Sequence, residues 1–261
     1  MLKLMDLVYY TIGFDVKYLD LLYLSILSLR KHNTTDVMVI CDQSLVDQCT
    51  EKLKNFSSIN IVPCSDSTGA MDSSMKKLRI FDYDLSKYSK LLFVDSDILV
   101  DINLNSIFSK INDDKLHAPI EHRQLGYHYE KWHSLKTYTK EDIDFLVKNR
   151  IYPFCAGMFG FVNSISMKEH FSNIHVMIQN HTGYYYYEQS FMNVYFNLRN
   201  LVNRDTINDF NYSMGDKVPS NIPIPIWNKN KFRNKMFHFS DPRGPDAKLK
   251  EMLRWYNKFL R

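Results

Sequence analysis

Lys90-Leu-Leu-Phe-Val94 is an apolar run without polar alternation, and it ends on Asp95-Ser-Asp97. A strand that is apolar on both sides must be buried on both faces, as a central strand of a helix-covered parallel sheet is. The first half of the chain agrees, because short apolar runs alternate there with helical patterns, as in βαβ units. Leu7 to Tyr10 predicts a first strand, and residues 18 to 30 a helix with Leu22, Ile26 and Leu29 on one face. Val37 to Ile40, closed by Cys41-Asp42, predicts a second strand, and residues 45 to 55 a helix. Ile59 to Val62 predicts a third strand, and Lys76 to Phe81 a helical segment.

The second half is less regular. Thr139-Lys-Glu-Asp142 and Ser166-Met-Lys-Glu169 both have the spacing of capping boxes. Met158 to Val162 predicts a strand, Glu188 to Leu198 an aromatic-rich helix, and the stretch from 199 to 235, with Pro219, Pro223 and Pro225, a loop. Met236 to Phe239 predicts a last strand, followed by a helix from Pro245 with Leu249, Leu253, Tyr256 and Leu260 on one face. The expected class is α/β, a single Rossmann-like domain over residues 1–261 with a central, mostly parallel sheet flanked by helices.

Composition excludes several functions. Lys plus Arg exceeds Asp plus Glu by only 33 − 29, or 4, without the clustered basic face of a nucleic-acid binder. Cys41, Cys49, Cys64 and Cys155 form no C-x-x-C pair, which argues against a zinc knuckle and a disulfide scaffold and for a reducing compartment. Asp6, Asp15, Lys17 and Asp20 interrupt the apolar N-terminal stretch, so neither a transmembrane segment nor a secretory signal is expected, and the expected location is cytoplasmic. His117 to His181 show no mutual ligand spacing and read as surface residues.

Chemistry concentrates at Asp95 and Asp97. Side chains alternate along a strand, so the two carboxylates face one way, at the strand end where open α/β sheets bind ligands. Two such acids repel unless a cation lies between them. Oxygen donors suit Mg²⁺ or Mn²⁺, and an added imidazole favours Mn²⁺. Asp-x-Asp alone also describes two acids in a solvated turn; the buried strand before it favours the metal.

A longer series of short motifs follows in order: Val8-Tyr-Tyr-Thr11, Tyr18 with Ser28-Leu-Arg30, Lys77-Leu78, Phe93-Val-Asp95-Ser-Asp97, Pro153-Phe-Cys-Ala-Gly157, Glu188-Gln189 with Met192-Asn193, and His238-Phe239. Together, over residues 5 to 250, they resemble the family 8 glycosyltransferases, the glycogenin-like group. Several large DNA viruses carry proteins of this kind, in agreement with a chain rich in Asn, Lys, Ile, Tyr and Phe and holding only 8 Gly. The resemblance implies a GT-A fold, a UDP-sugar donor (UDP-glucose first, UDP-galactose next), Mn²⁺ with Mg²⁺ as substitute, a glycan or glycoprotein acceptor, and retention at the anomeric carbon. A homodimer is compatible with it. Residues 1–100 would form the nucleotide-binding half and 101–261 the half that meets the acceptor and closes the metal site.

By the same resemblance Asp95, Asp97 and His238 bind the metal. Tyr10, Thr11, Tyr18, Lys77, Asp95, Ser96, Gly244 and Lys248 contact the nucleotide. Lys77, Cys155, Ala156, Glu188 and Gln189 face the donor sugar, with Glu188 and Gln189 beside the reacting carbon and Asn193 orienting them. Core packing is the competing reading for Tyr10 and Tyr18, and a dipole-favoured helix start for Glu188. Two departures stand out. Cys155-Ala-Gly157 replaces the family's Asn-x-Gly, and the closing motif survives only as His238, Gly244 and Lys248, with Arg243 a second phosphate candidate. They leave room for a catalytically inactive sugar-nucleotide or glycan binder. A nucleotidyltransferase is disfavoured, because no Gly-rich triphosphate loop follows the first strand. Tyr184 to Tyr187 invite comparison with self-glucosylation but read more simply as packing, and the basic final helix more simply docks on its own core than on anionic lipid.

Overall fold

The computed structural model describes residues 4–121, 138–180, 187–213, 234–240 and 244–260. Its strands, in chain order, are β1 (Met5–Ile12), β2 (Asp36–Asp42), β3 (Ile59–Cys64), β4 (Tyr88–Val94), β5 (Ile98–Asp101), β6 (Leu116–His117), β7 (Met158–Val162), β8 (Val202–Asn203), β9 (Asn211–Ser213) and β10 (Lys235–His238). Seven of them form one sheet in the order β3-β2-β1-β4-β7-β6-β8, and β5-β10-β9 form a second. Within the large sheet β7 runs against its neighbours β4 and β6, and the remaining pairs are parallel. The chain builds outward from β1 to β3 and then returns to add β4 on the other side of β1. That reversal makes the carboxyl ends of β1 and β4 a switch point, where open sheets bind ligands.

Alternation along the central strands fills both faces. Leu7, Tyr9, Leu91 and Phe93 pack into one core, and Val8, Tyr10, Leu92 and Val94 into the other. This double burial is why β4 reads as an unbroken apolar run. In the first core Phe93 and Phe159 stack at 5.0 Å, and Phe161 meets Phe171 at 4.9 Å. Each such pair adds about 0.5–1.5 kcal/mol beyond area burial.

Several expectations need correction. Residues 76 to 82 form a 3-10 helix that continues the short helix Ala70–Met75. Thr139 does close a reciprocal capping box with Asp142. The helix Ile165–Gln179, however, is capped by Ser164, whose extended backbone lets its Oγ accept from Met167 N, while Ser166 sits inside the first turn. His117 is no surface residue: it is fully buried, with Nδ1 2.7 Å from Thr206 Oγ1 and Nε2 2.7 Å from Asp113 Oδ1. The expected loop from 199 to 235 contains β8, the helix Asp205–Asn208 and β9; its three prolines lie outside the described residues.

On the last helix, Pro245–Trp255, the buried face is Met252 and Trp255, joined by Leu260, whereas Leu253 is 40% exposed. Leu249 and Tyr256 are partly buried against that face and Leu260 is buried in it, so of the expected stripe only Leu253 falls outside. That face packs with Leu99 and Phe237 of the small sheet and Leu21 and Leu24 of the helix Tyr18–Leu29. The four cysteines carry free thiols, and no helix among the described residues is long and apolar enough to cross a membrane.

Candidate functional site

The two acids lie in the turn between the sheets. Asp95 N donates to Gly157 O at the start of β7 (2.8 Å), and Ile98 N donates back to Asp95 O (3.2 Å). Antiparallel pairing then sets His238 opposite Ile98, and Phe239 N donates to Asp97 O at 3.0 Å. Ladder register, not chance proximity, therefore carries His238 to the acids. Ligand atoms of Asp95, Asp97 and His238 all lie within 4.8 Å of one another. Asp97 Oδ1 is buried with no hydrogen-bond partner, and His238 Nε2 stands 3.4 Å from it. Gly157 faces the cluster so closely that a Cβ there would lie 2.6 Å from His238 Cε1 and 3.1 Å from Asp95 Oδ2. Two carboxylates and an imidazole, with an orphaned oxygen among them, fit a divalent cation of the Mn²⁺ or Mg²⁺ type.

Beside this cluster Lys77 Nζ lies 2.6 Å from Glu188 Oε1 and 3.6 Å from Asp95 Oδ1, and it donates to Ala156 O at 3.2 Å. Its ammonium also sits 4.5 Å over the Phe93 ring. Burial works against its charge, but Asp95 and Glu188 outweigh burial and hold the proton more tightly than usual. Burial lifts the Asp95 carboxyl to about 6, with Lys77 opposing. Burial also acts on Asp97, yet Lys248 and His238 reverse it and hold that carboxyl well below the usual range. For His238 burial opposes charging, and Cys155 and Asp97 override it to raise the imidazole well above its ordinary value.

The helix Tyr187–Leu198 supplies the next residues. Gln189 Oε1 accepts from Ala156 N (3.0 Å), and its Nε2 donates to Glu121 Oε2 (3.4 Å), so the amide is held at both ends. Asn193 Oδ1 accepts from Phe154 N at 2.7 Å, while its Nδ2 donates to Phe154 O and Gln189 O at 2.8 and 3.0 Å. This clip fixes the 154–156 backbone against the helix. Cys155 Sγ lies 3.5 Å from His238 Nδ1.

The last helix closes the site. Gly244 enters it at φ 92°, a left-handed value suited to glycine, and Lys248 N donates to Gly244 O at 3.2 Å. Lys248 Nζ reaches Asp97 Oδ2 at 2.7 Å and lies 5.9 Å from the Tyr18 ring centroid. Lys17 pairs with Asp246 at 2.5 Å, tying the segment before the first helix to the start of the last.

Lys77, Asp95, Asp97, Cys155, Ala156, Glu188, Gln189, His238 and Lys248 thus lie together, with Tyr18 at the edge and Ser96 buried between the acids. Thr11 is half-buried near the end of β1. Tyr10 is the exception: it is fully buried in the core, its hydroxyl 3.1 Å from Ser25 Oγ, and it offers no face to a ligand. Alternation explains this, since Tyr10 points to the helix side of β1. Arg243 and Tyr184 to Tyr186 lie outside the described residues, as does the side chain of Tyr187.

Three features were missed from the sequence. Glu121 sits in no motif, and only the fold brings it to Gln189. Gly157 had a signal in its glycine, but not its reason. At the ends of β1 and β2, Asp42 accepts from Phe14 N (2.8 Å) and from Ser67 N and Oγ (both 3.0 Å) and pairs with Lys76. This fastening leaves Phe14 58% exposed at φ 69° beside the switch point.

No family model matches the chain, and no curated protein does. Solved structures do match. The galactosyltransferase LgtC in complex with donor and acceptor sugar analogs aligns with TM-score 0.66 and 15% identity, over 98% of this chain and 97% of that one. An active-site glutamine-to-glutamate mutant of LgtC aligns with TM-score 0.62 and 16% identity, over 96% and 95%. The WbbM bifunctional glycosyltransferase, in its apo form, aligns with TM-score 0.62 and 15% identity over 98% of this chain, which spans only 51% of WbbM. What this chain shares with these glycosyltransferases is their fold, GT-A.

Proposed function

We propose that the chain is a divalent-metal-dependent, retaining glycosyltransferase of the glycogenin-like group, moving a hexose from a UDP-sugar to a glycan or protein acceptor. The observation that carries this reading is the convergence of Asp95, Asp97 and His238 beside the Lys77–Glu188–Gln189 group at the sheet's switch point. LgtC, of the same fold, is a galactosyltransferase that was captured with donor and acceptor sugar analogs. Glucose is the first donor sugar to test and galactose the second.

In this reading Asp95, Asp97 and His238 would hold Mn²⁺ or Mg²⁺, which would supply Lewis-acid stabilisation to a departing diphosphate. The chain's own residues do the rest. Lys77, fixed by Glu188 and Ala156 O, supplies a second positive charge beside Asp95. A preorganised charge of this kind favours the transition state, in which the leaving group gains negative charge. Glu188 offers a carboxylate and Gln189 an oriented amide to an electron-poor anomeric carbon. Gly244 and Lys248 set a helix start and an ammonium where phosphate oxygens bind well. Residues 1–100 then carry most nucleotide contacts, and 101–261 the acceptor side and His238.

The test is UDP release from a panel of UDP-sugars, with and without Mn²⁺. Release from one donor identifies it. Tight UDP-sugar binding without release or transfer, with any acceptor tried, would instead identify an inactive binder.

A further inference from the structure

Asp97 has two oxygens with different circumstances. Oδ1 has no hydrogen bond and faces His238, while Oδ2 is held by the Lys248 ammonium at 2.7 Å. The carboxylate is only 7% exposed, so this ammonium is its close counter-charge, within a pair that solvent screens little. A dication on the same carboxylate would stand within a few ångströms of the ammonium, and the two repel at twice the strength of unit charges. Both cannot keep their full hold on Asp97.

The surroundings give the displaced ammonium somewhere to go. Lys248 is on the first turn of a helix whose start is tied to the segment before the first helix by Lys17–Asp246. The flexible four-carbon stem of a lysine lets its ammonium move while the backbone stays in place. The Tyr18 ring already lies 5.9 Å from Nζ on one side.

We propose that Lys248 is an exchangeable counter-cation. It neutralises Asp97 until a divalent cation takes that carboxylate, and the freed ammonium then meets the phosphate oxygens of a nucleoside diphosphate. This rests on reading Asp95, Asp97 and His238 as a metal centre. It makes metal and nucleotide binding mutually reinforcing: the metal frees the lysine for phosphate, and phosphate keeps the lysine from competing for Asp97. Such coupling is reciprocal and typically amounts to about 5–150-fold in affinity.

The experiment is Mn²⁺ titration of the full chain, read by the electron paramagnetic resonance of free Mn²⁺, with and without UDP. Without UDP, Lys248→Met should bind Mn²⁺ about tenfold tighter than wild type, and Lys248→Arg, which keeps the charge, within about twofold of it. Lys250→Met removes the same charge from an exposed position two residues on and should change little. UDP should tighten Mn²⁺ binding more in wild type than in Lys248→Met. Equal or weaker Mn²⁺ binding by Lys248→Met, or equal tightening by Lys250→Met, overturns the exchange while leaving the metal centre standing. No Mn²⁺ uptake by wild type, with or without UDP, overturns the metal centre and the exchange together.

Discussion

Lys77 Nζ and Glu188 Oε1 are 2.6 Å apart, with both side chains about 95% withdrawn from solvent, and Asp95 stands 3.6 Å from the same ammonium. One cation thus balances two acids contributed by separate elements. Lys77→Met should cost about 3–5 kcal/mol, because it leaves carboxylates buried without their partner. Adding Glu188→Gln to it should return part of that loss. Urea denaturation of the three proteins decides this, and a single variant as stable as wild type would contradict the pairing.

Gly157 and His238 make a steric prediction. A Cβ at 157 would lie 2.6 Å from His238 Cε1, so Gly157→Ala must push the ring off its position. Mn²⁺ affinity should fall by about 10–100-fold, the range seen when a ligand's support is disturbed. At Gly69 a Cβ meets nothing within 4 Å, so Gly69→Ala is the control and should bind Mn²⁺ as wild type does.

The pH dependence of metal binding has a definite sign. In the free site burial lifts Asp95 to about 6, and Cys155 and Asp97 raise His238 well above its ordinary value against the effect of burial. Both groups must lose their protons to serve as ligands, so affinity rises with pH and binding releases protons. Calorimetry in two buffers of different ionisation enthalpy should show net proton release at neutral pH. Stability without metal follows the same logic. The raised Asp95 contributes most at acid pH, and its contribution is lost as pH climbs through about 6. The depressed Asp97 contributes above the ordinary carboxylate range and loses its contribution as pH falls below it.

Cys155 departs from the asparagine that the resemblance to family 8 glycosyltransferases implies, and its sulfur lies 3.5 Å from His238 Nδ1. On the proposed function, Cys155→Asn would place an amide toward the donor sugar. The KM for a UDP-sugar should change by about tenfold or more, while the Kd for UDP stays within about twofold. Equal shifts in both would show that residue 155 acts on the nucleotide instead.

The last helix tests the packing. Trp255 is 1% exposed against Phe237 and Phe239, so Trp255→Ala should cost about 3–5 kcal/mol. Leu253→Ala, at a position 40% exposed, should stay within about 0.5 kcal/mol.

These residues also show what the sequence could reveal. β4 was legible because double burial leaves an unbroken apolar run, and Asp95 and Asp97 because they end it. His238 could be tied to them only through resemblance, since the β5–β10 register that joins them is a long-range pairing with no local signal. Tyr10 was misassigned because a strand end looks the same whether its side chain meets ligand or helix; only the pleat's phase decides. Leu253 was misassigned because the buried face centres on Met252 and Trp255, which the apolar spacing from Leu249 passed over. Glu121 left no trace in the sequence, since its role follows from a contact with Gln189, an amide far along the chain.

The most direct test of the account is UDP release from UDP-glucose and UDP-galactose by wild type and Asp97→Ala, first with chelator and then with Mn²⁺ restored. Wild type should release UDP only when Mn²⁺ is present, and Asp97→Ala should release none in either condition. Release that survives the chelator, or an Asp97→Ala variant as active as wild type, would contradict it.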